Sequence, residues 1–373
     1  MLERIYIDNY KCLVNFEYRP GTMQLILGGN GSGKSTLFEV LALLRSLIAD
    51  GATTAQLFTP SSLTRWQMKN EQAFELGVSG NGGRYLYKLA VEHRSTGPRL
   101  EMPINRVHRE ELLFDGQRLF FSEFGKAHLF RDDFSEGPEV VLDWERSGIS
   151  MLSQRRDNAR ITWFKDWISR LYRIQINPYR MSPASTEEQS HPVSDLSNYA
   201  SWYRHLSKGQ PRVTFNLSEY LRRIISGFET FSLAKEGETT RLLKAEVLDG
   251  SGGPHKYNFD ELSDGQRVIA CLYTLLALMK EAQVILVIDE PDNFITLSEI
   301  QPWLIELQEQ AERHQSQVLI ISHHPEMINY LTPLDAVRFD RAPDGPARVA
   351  PFAGGGEEAL PPSEIIARGW EGE

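Results

Sequence analysis

Only two cysteines, Cys12 and Cys271, occur among the 373 residues, far apart and without a CxxC spacing. Neither a disulfide framework nor a thiolate zinc site has support, and a reducing compartment is expected. Long apolar runs are also missing. The longest, ACLYTLLALM at 270 to 279, is about half of the roughly 20 residues that a bilayer crossing needs. The opening MLERIYIDNY has no signal-peptide core, so a cytoplasmic address without a membrane partner is expected. An excess of basic charge is absent as well: 50 acidic residues against 40 basic ones leave a net charge of −10, which argues against coating nucleic acid by bulk charge. There is no internal repeat and no heptad run long enough for a coiled coil. What remains, 41% hydrophobic and 24% charged, is the mixture of a globular fold in water, either one elaborated domain or a domain with an inserted lobe.

Along the chain, ERIYIDNY alternates as a strand does, and TMQLILGG at 22 to 29 is a short apolar strand ending in glycines. Leu37, Leu41, Leu44 and Ile48 then follow at helical spacing, so the glycine loop joins a strand to a helix. AFELGVSG and RYLYKLAVEH, separated by GNGG, read as a hairpin. Residues 101–150 are mixed, whereas 151–173 and 196–226 carry helical patterns around a Pro/Ser-rich stretch. Short strands are expected in GFETFSLAKE, RLLKAEVLDG and HKYNFDEL, then a helix over 264–281, a buried strand at 284–290, a polar helix over 298–315 and a buried strand at 317–322. This pattern divides the chain into a first part at 1–100, an inserted mixed or helical lobe at 101–226, a second part at 227–340 and a tail at 341–373.

GGNGSGKS, Gly28 to Ser35, satisfies G-x-x-x-x-G-K-[ST] in the setting that gives the pattern meaning, after a strand and at the head of a helix. Glycines let backbone N–H groups curl around a β-phosphate, and the helix N-terminus adds its positive end. The candidate nucleotide contacts are Gly28, Asn30, Gly31, Gly33, Lys34, Ser35 and Thr36. Lys34 would neutralise the β- and γ-phosphates, and the Ser35 hydroxyl would bind Mg²⁺. ATP and Mg²⁺ are therefore the expected cofactors. VILVIDEP supplies the other half of the chemistry: Asp289, at the end of an apolar strand, fits the magnesium-side carboxylate, and Glu290 fits the base that polarises the attacking water. Without the upstream loop, the same pair would serve as well to cap a turn.

ELSDGQRVIA, at 261 to 270, contains the S-x-x-Q capping box of Ser263 and Gln266. Gly265 costs helix stability there, which makes sense if another molecule's phosphate approaches that backbone closely. LSDGQ, followed by Asp289 and then by His323 in IISHHPE, resembles the ABC ATPase signature followed by Walker B and the switch histidine. The resemblance implies that Glu290, His323 and Lys34 are catalytic and that two heads sandwich ATP. It further implies that Ser263, Gly265 and Gln266 serve the partner's nucleotide. The fold it implies is α/β, a P-loop NTPase with ABC-ATPase head topology, an N-terminal antiparallel β portion and an inserted mainly helical lobe.

Lys34 and Ser263 lie much farther apart than in transporter heads, and the long arms of SMC heads are absent. With IYIDNYKCLVNFEY at its start and SDLSNYASWYRHL at 194 to 206, the chain is similar to the RecF/SMC/OLD-like group, and within it to OLD-like defence ATPases. Asp264 and PDNFITL depart from the transporter pattern; Asn293 is a candidate dimer contact. Gln175 is the first choice for the metal-side Q-loop glutamine, with Gln67 and Gln72 behind it. His324 stands beside His323 as an alternative, and Lys11 is a further candidate near the nucleotide.

The resemblance implies an ATP-dependent homodimer or higher oligomer acting as sensor, regulator or DNA clamp. Its expected setting is anti-phage defence, with a separate, nuclease-like effector protein, since too few residues follow Glu290 for a TOPRIM nuclease. The alternative is a RecF-like repair or loading ATPase that holds duplex DNA through 151–182. There Arg155, Arg156, Arg160, Lys165, Arg170, Arg173 and Arg180 outnumber Asp157 and Asp166, although such a run also suits a solvated helix face. The motor subunit of a transporter is disfavoured.

Overall fold

The structure, a computed structural model, describes residues 1–94, 104–248, 253–352 and 360–368. Strands β1 (Leu2–Asp8), β2 (Phe16–Tyr18) and β3 (Met23–Leu27) precede helix α1 (Lys34–Ile48) and the one-turn α2 (Thr54–Leu57). Six strands follow, β4 (Glu71–Gly80), β5 (Gly83–Arg94), β6 (Ile104–Phe114), β7 (Gln117–Glu123), β8 (Lys126–Phe130) and β9 (Glu136–Val141). Then come α3 (Gly148–Met151), α4 (Ala159–Ser169), β10 (Leu171–Ile174), β11 (Ala184–Ser185), α5 (Tyr199–Gly209) and α6 (Pro211–Ile224). Strands β12 (Phe228–Glu236), β13 (Thr240–Leu248) and β14 (Pro254–Asn258) lead to α7 (Asp264–Glu281), β15 (Ile285–Asp289), α8 (Leu297–His314) and β16 (Gln317–Ile321). The chain ends with α9 (Pro325–Leu331), β17 (Ala336–Arg341), β18 (Ala347–Pro351) and α10 (Pro362–Ala367).

Contacts divide the chain into two units. The first comprises Met1–Gly21, Ile26–Leu171 and Ala336–Phe352; the second comprises Thr22–Leu25, Tyr172–Asp335 and Ala353–Glu373. The first unit is built on an eight-stranded sheet in the order β2-β1-β4-β5-β6-β7-β8-β9. Every neighbour pair in it is antiparallel. The β4–β5 hairpin is closed by Asn81 and Gly82, both at positive φ (51° and 80°), the combination that a two-residue turn matched to strand twist requires. Strand β4 buries every second residue, as a half-covered sheet does. Helix α1 buries Leu37, Phe38, Leu41, Leu44 and Ile48.

The lobe expected at 101–226 is not one body. Its beginning, at 100/101, lies outside the described residues; from Ile104 to Val141 the chain extends the sheet of the first unit, and from Tyr172 it belongs to the second. Of the helical patterns expected within it, 151–173 holds only α4 as a full helix, with strand β10 starting at Leu171, whereas 196–226 holds α5 and α6 in the second unit. Strand β6 hides from pattern reading because it buries polar groups. Glu110 is fully buried and accepts hydrogen bonds from Tyr87 Oη (2.9 Å), Ser147 Oγ (2.5 Å) and the Gly148 N–H (2.6 Å). Asn105 and Arg106 are buried beside it in sequence. Burial of that kind is tolerated when partners are present, and it erases the apolar alternation that marks a strand.

In the second unit β15 and β16 are parallel neighbours, with Asp289 opposite Ile321, and β10 lies on the other side of β15. Both β15 and β16 are buried throughout, which accounts for their uninterrupted apolar sequences. The Val318 N–H donates to Thr22 O, so the start of β3 runs beside β16. A second, antiparallel sheet contains β11, β12, β13 and β14. Helix α7 is buried from Val268 through Met279, as a helix apolar on all sides must be. The other strands and helices expected between 227 and 322 lie where the pattern placed them, to within a residue or two, but the strand expected through Leu262 stops at Asn258, which caps a single helical turn at Phe259–Glu261, and residues 249 and 250 of the strand before it lie outside the described residues.

Candidate functional site

Strand β3 delivers the chain to Gly28, and the loop closes at Gly33, the residue before α1. Gly28, Gly31 and Gly33 all have positive φ (138°, 79° and 105°), a region that other residues rarely occupy. At two of them crowding adds to the constraint. A Cβ on Gly28 would stand 2.2 Å from Phe339 O, and one on Gly33 would stand 3.0 Å from Ala347 Cβ and 3.1 Å from Cys12 Sγ. Lys34 Nζ donates to the carbonyls of Gly28 (2.5 Å) and Gly29 (3.1 Å), which curls the loop around an ammonium group. Helix α1 has no side-chain cap and no acidic residue in its first turn, so its positive end is not quenched by its own sequence. Asn30, Gly31 and Ser35 are exposed, and Thr36 is half-buried with its Oγ1 3.9 Å from Cys12 Sγ.

A cavity of about 350 Å³ adjoins this loop, lined by Gly29, Asn30, Gly31, Ser32 and the segment Phe339 to Pro343. Ser32 Oγ is buried there without a hydrogen-bond partner, an orphaned polar atom of the kind a phosphate oxygen would satisfy. Arg341, absent from the sequence reading, braces the rim. It donates to Gly31 O (3.2 Å) and Gly345 O (3.0 Å), and its guanidinium lies 5.0 Å from the centre of the Trp66 ring. No local pattern marks either residue, because they meet only through the fold of the first unit.

In the second unit, Asp289, Glu290 and His323 leave neighbouring parallel strands at the same end. Asp289 closes β15 and is buried; Glu290 follows, half-buried and at φ 50°. A left-handed glutamate costs about 1 kcal/mol, and local strain of this sort gathers at functional turns. Its N–H donates to Ile321 O (2.8 Å). His323 is exposed just past β16, whereas His324 is the N-cap of α9, its Nδ1 accepting from the Glu326 N–H (3.2 Å). His324 is thus engaged at the start of its own helix.

Ser263 and Gln266 form the expected capping box on α7: Ser263 Oγ accepts from the Gln266 N–H (3.2 Å) and Gln266 Oε1 from the Ser263 N–H (3.0 Å). Arg267 pairs with Asp264 and donates to Pro178 O (2.7 Å). Gly265 has a reason within its own protomer. A Cβ there would stand 2.9 Å from Phe294 O, so the glycine already accommodates a carbonyl of the turn that follows Glu290. This contact within the protomer stands beside the approach of another molecule's phosphate as a reason for the glycine.

The remaining candidates separate clearly. Gln175 is exposed one residue beyond β10, and its N–H donates to Ser194 O (2.7 Å). Gln72 is fully buried and structural: its Nε2 donates to Asn9 O and Ser62 O, and its Oε1 meets His93 Nε2. Gln67 donates to Asp8 Oδ1 (3.2 Å). Lys11 forms an ion pair with both oxygens of Glu39, at 2.7 and 2.6 Å. Asn293 Nδ2 donates to Glu290 Oε2 (2.9 Å).

Four of the seven basic residues of the stretch, Arg155, Arg160, Lys165 and Arg180, have partners within the chain. Arg160 donates to Asp132 O and lies over the Phe114 ring at 4.5 Å. Lys165 donates to Ser150 O (2.6 Å), with its pKa lowered by burial. Arg155 and Arg180 pair with Asp157 (3.4 Å) and Asp195 (2.6 Å).

Among the described residues no group of three or more His, Cys, Asp or Glu could hold a metal ion. Asp289 offers a carboxylate and Ser35 a hydroxyl, oxygen donors of the kind Mg²⁺ takes when phosphate oxygens and waters complete its shell. No helix among the described residues is long and apolar enough to cross a membrane.

The family profile described as "AAA domain, putative AbiEii toxin, Type IV TA system" matches residues 25–329. Among solved structures, the SMC head bound to the C-winged helix domain of ScpA is similar over 94% of this chain and 97% of its own, at 13% identity and a TM-score of 0.56. An SMC head domain from Thermotoga maritima matches over 94% of this chain and 98% of its own, at 14% identity and a TM-score of 0.45. No curated protein matches. The former likeness shows the ABC-type, SMC-like head fold, and the profile spans most of the sequence: the chain belongs to this AAA-domain family of P-loop ATPases.

Proposed function

We propose that this protein binds ATP with Mg²⁺, hydrolyses it to ADP and phosphate, and closes as a dimer around the nucleotide. The observation that carries the reading is the phosphate loop itself: three glycines at positive φ, an ammonium group inside the curl, and a long helix whose N-terminus has no cap. Anions bind such a terminus through free N–H groups and the helix dipole. In this reading Lys34 holds the β- and γ-phosphates, Ser35 and Asp289 hold the metal with Gln175 on its side, and Glu290 takes the proton of the attacking water. His323 contacts the γ-phosphate. Ser263, Gly265 and Gln266 engage the nucleotide of the other copy. Bound Mg²⁺ would supply charge neutralisation on the phosphates.

The protein is further proposed to act in the cytoplasm with a separate effector, a nuclease-like protein, in anti-phage defence. The family's description as a putative toxin of a type IV TA system supports such a setting. The solved SMC head engages a domain of a second protein, which supports a protein partner. Duplex DNA has less behind it, because Arg155, Arg160, Lys165 and Arg180 already have partners within the chain. The test is calorimetric titration of ATP–Mg²⁺ into the wild type and Lys34→Ala, together with the solution mass of Glu290→Gln with and without ATP. Saturable binding that weakens at least about tenfold in Lys34→Ala and a mass that doubles with ATP support the reading. Binding unchanged in Lys34→Ala, or an ATP-independent monomer, refutes it.

A further inference from the structure

The turn leaving β15 carries Glu290 on a frame fixed at several points. The Glu290 N–H is bonded to Ile321 O, and the Asn293 N–H donates back to Glu290 O at 3.3 Å. Ser322 Oγ donates to Asp292 Oδ1 (2.7 Å) while accepting from the His324 N–H (3.0 Å). One side chain of the turn then reaches the carboxylate: Asn293 Nδ2 donates to Glu290 Oε2 at 2.9 Å. We infer that Asn293 is a positioning residue for Glu290.

The physical case is geometric. A glutamate has three rotatable side-chain bonds, and a half-buried one samples several rotamers unless something holds its end. A base must meet the proton it takes within hydrogen-bond reach, and small misplacements are costly. A single amide donor on Oε2 fixes the plane of the carboxylate and leaves Oε1 to receive the proton of the water. Because Asn293 sits three residues away on the same turn, it moves with Glu290 as one unit. Asn293 is exposed, so the bond is not needed to satisfy a buried group, and its removal leaves the fold unburdened.

The inference rests on the ATPase reading, and the experiment separates the two. Steady-state ATP hydrolysis is measured for the wild type, Asn293→Ala, Asn293→Asp, Asn293→Gln, Glu290→Gln and the double variant Asn293→Ala/Glu290→Gln, with thermal melting of each. Asn293→Ala is expected to lower kcat about tenfold with KM within about twofold. Asn293→Asp keeps the shape but sets one carboxylate against another, and is expected to lose at least as much; Asn293→Gln, which keeps the amide, recovers part of the rate. In the Glu290→Gln background, Asn293→Ala changes the residual rate by less than about twofold, because its effect passes through the group already removed. A wild-type kcat in Asn293→Ala, or losses that multiply in the double variant, overturns the inference and returns Asn293 to the role of an independent contact. If Glu290→Gln hydrolyses ATP as the wild type does, the base and its positioning residue fall together; if it is inactive while Asn293→Ala is unaffected, only the positioning role falls.

Discussion

Replacing Gly265 by alanine asks why the first turn of α7 carries a glycine. The new Cβ would stand 2.9 Å from Phe294 O, against about 3.4 Å where ordinary contact begins. The carbonyl must therefore yield by about half an ångström. Phe294 is exposed and sits at φ 73° on a turn, so the strain should stay near the lower end of the roughly 1–3 kcal/mol that overpacking costs. Alanine regains up to about 1 kcal/mol of helix propensity. The net change is thus about 0–2 kcal/mol, a fall in Tm of no more than several degrees for a chain of this size.

The effect on function should be much larger. Displacing Phe294 O moves the turn that bears Asn293 and Glu290, and kcat should fall by about ten- to a hundredfold. Differential scanning fluorimetry reads the first quantity and a coupled ATPase assay the second. The solution mass of Gly265→Ala/Glu290→Gln with ATP adds a discriminating third. If kcat falls while the mass still doubles, the contact within the protomer dominates; if the doubling is lost, the approach of the partner's nucleotide dominates. A Tm lower by more than about 10 °C would show that the glycine serves the fold, and an unchanged kcat with intact doubling would refute both close approaches.

Lys34→Ala removes a charged donor and should weaken ATP binding by about ten- to a hundredfold, the equivalent of one charge-assisted interaction of roughly 1.5–3 kcal/mol, as read by titration calorimetry. Gly28→Ala places a Cβ 2.2 Å from a backbone carbonyl at φ 138°; it should lose more than about 3 kcal/mol or fail to accumulate folded, and a chemical denaturation midpoint equal to the wild type would refute the assignment. Glu110 has its pKa raised, chiefly by burial. Its protonated form is therefore favoured in the folded state, so its contribution is fully present below the unfolded value near 4.5 and is lost as pH rises through the folded value. Glu110→Gln, whose amide can donate to the rotatable Tyr87 and Ser147 hydroxyls and accept from Gly148, should gain on the wild type as pH rises from about 5 to 8 in denaturation midpoints. Glu110→Ala leaves three donors unpaired and should cost at least about 3 kcal/mol.

The contrast between Glu110 and Asp289 shows which parts of this fold were legible in the sequence. Asp289 ends a strand whose residues are all apolar, and its neighbours announce both the strand and its end. The phosphate loop is equally local, since glycine at positive φ and a helix head follow one another in a few residues. Glu110 is an acid inside a strand, and the hydroxyls of Tyr87 and Ser147 and the Gly148 N–H, all distant in sequence, compensate its burial; a reading of alternation finds no strand there. Gly265 is the intermediate case. Its position in a signature-like run was visible, but the carbonyl it accommodates comes from Phe294, brought close only when α7 and the turn after β15 pack together. Residues whose role is set by backbone conformation or by neighbours along the chain could be named beforehand, whereas those set by packing, such as Arg341 on Gly31, required the structure. The two histidines follow the same strand one residue apart, and the cap that His324 places on α9 is set by the start of the next helix and became visible only in the structure.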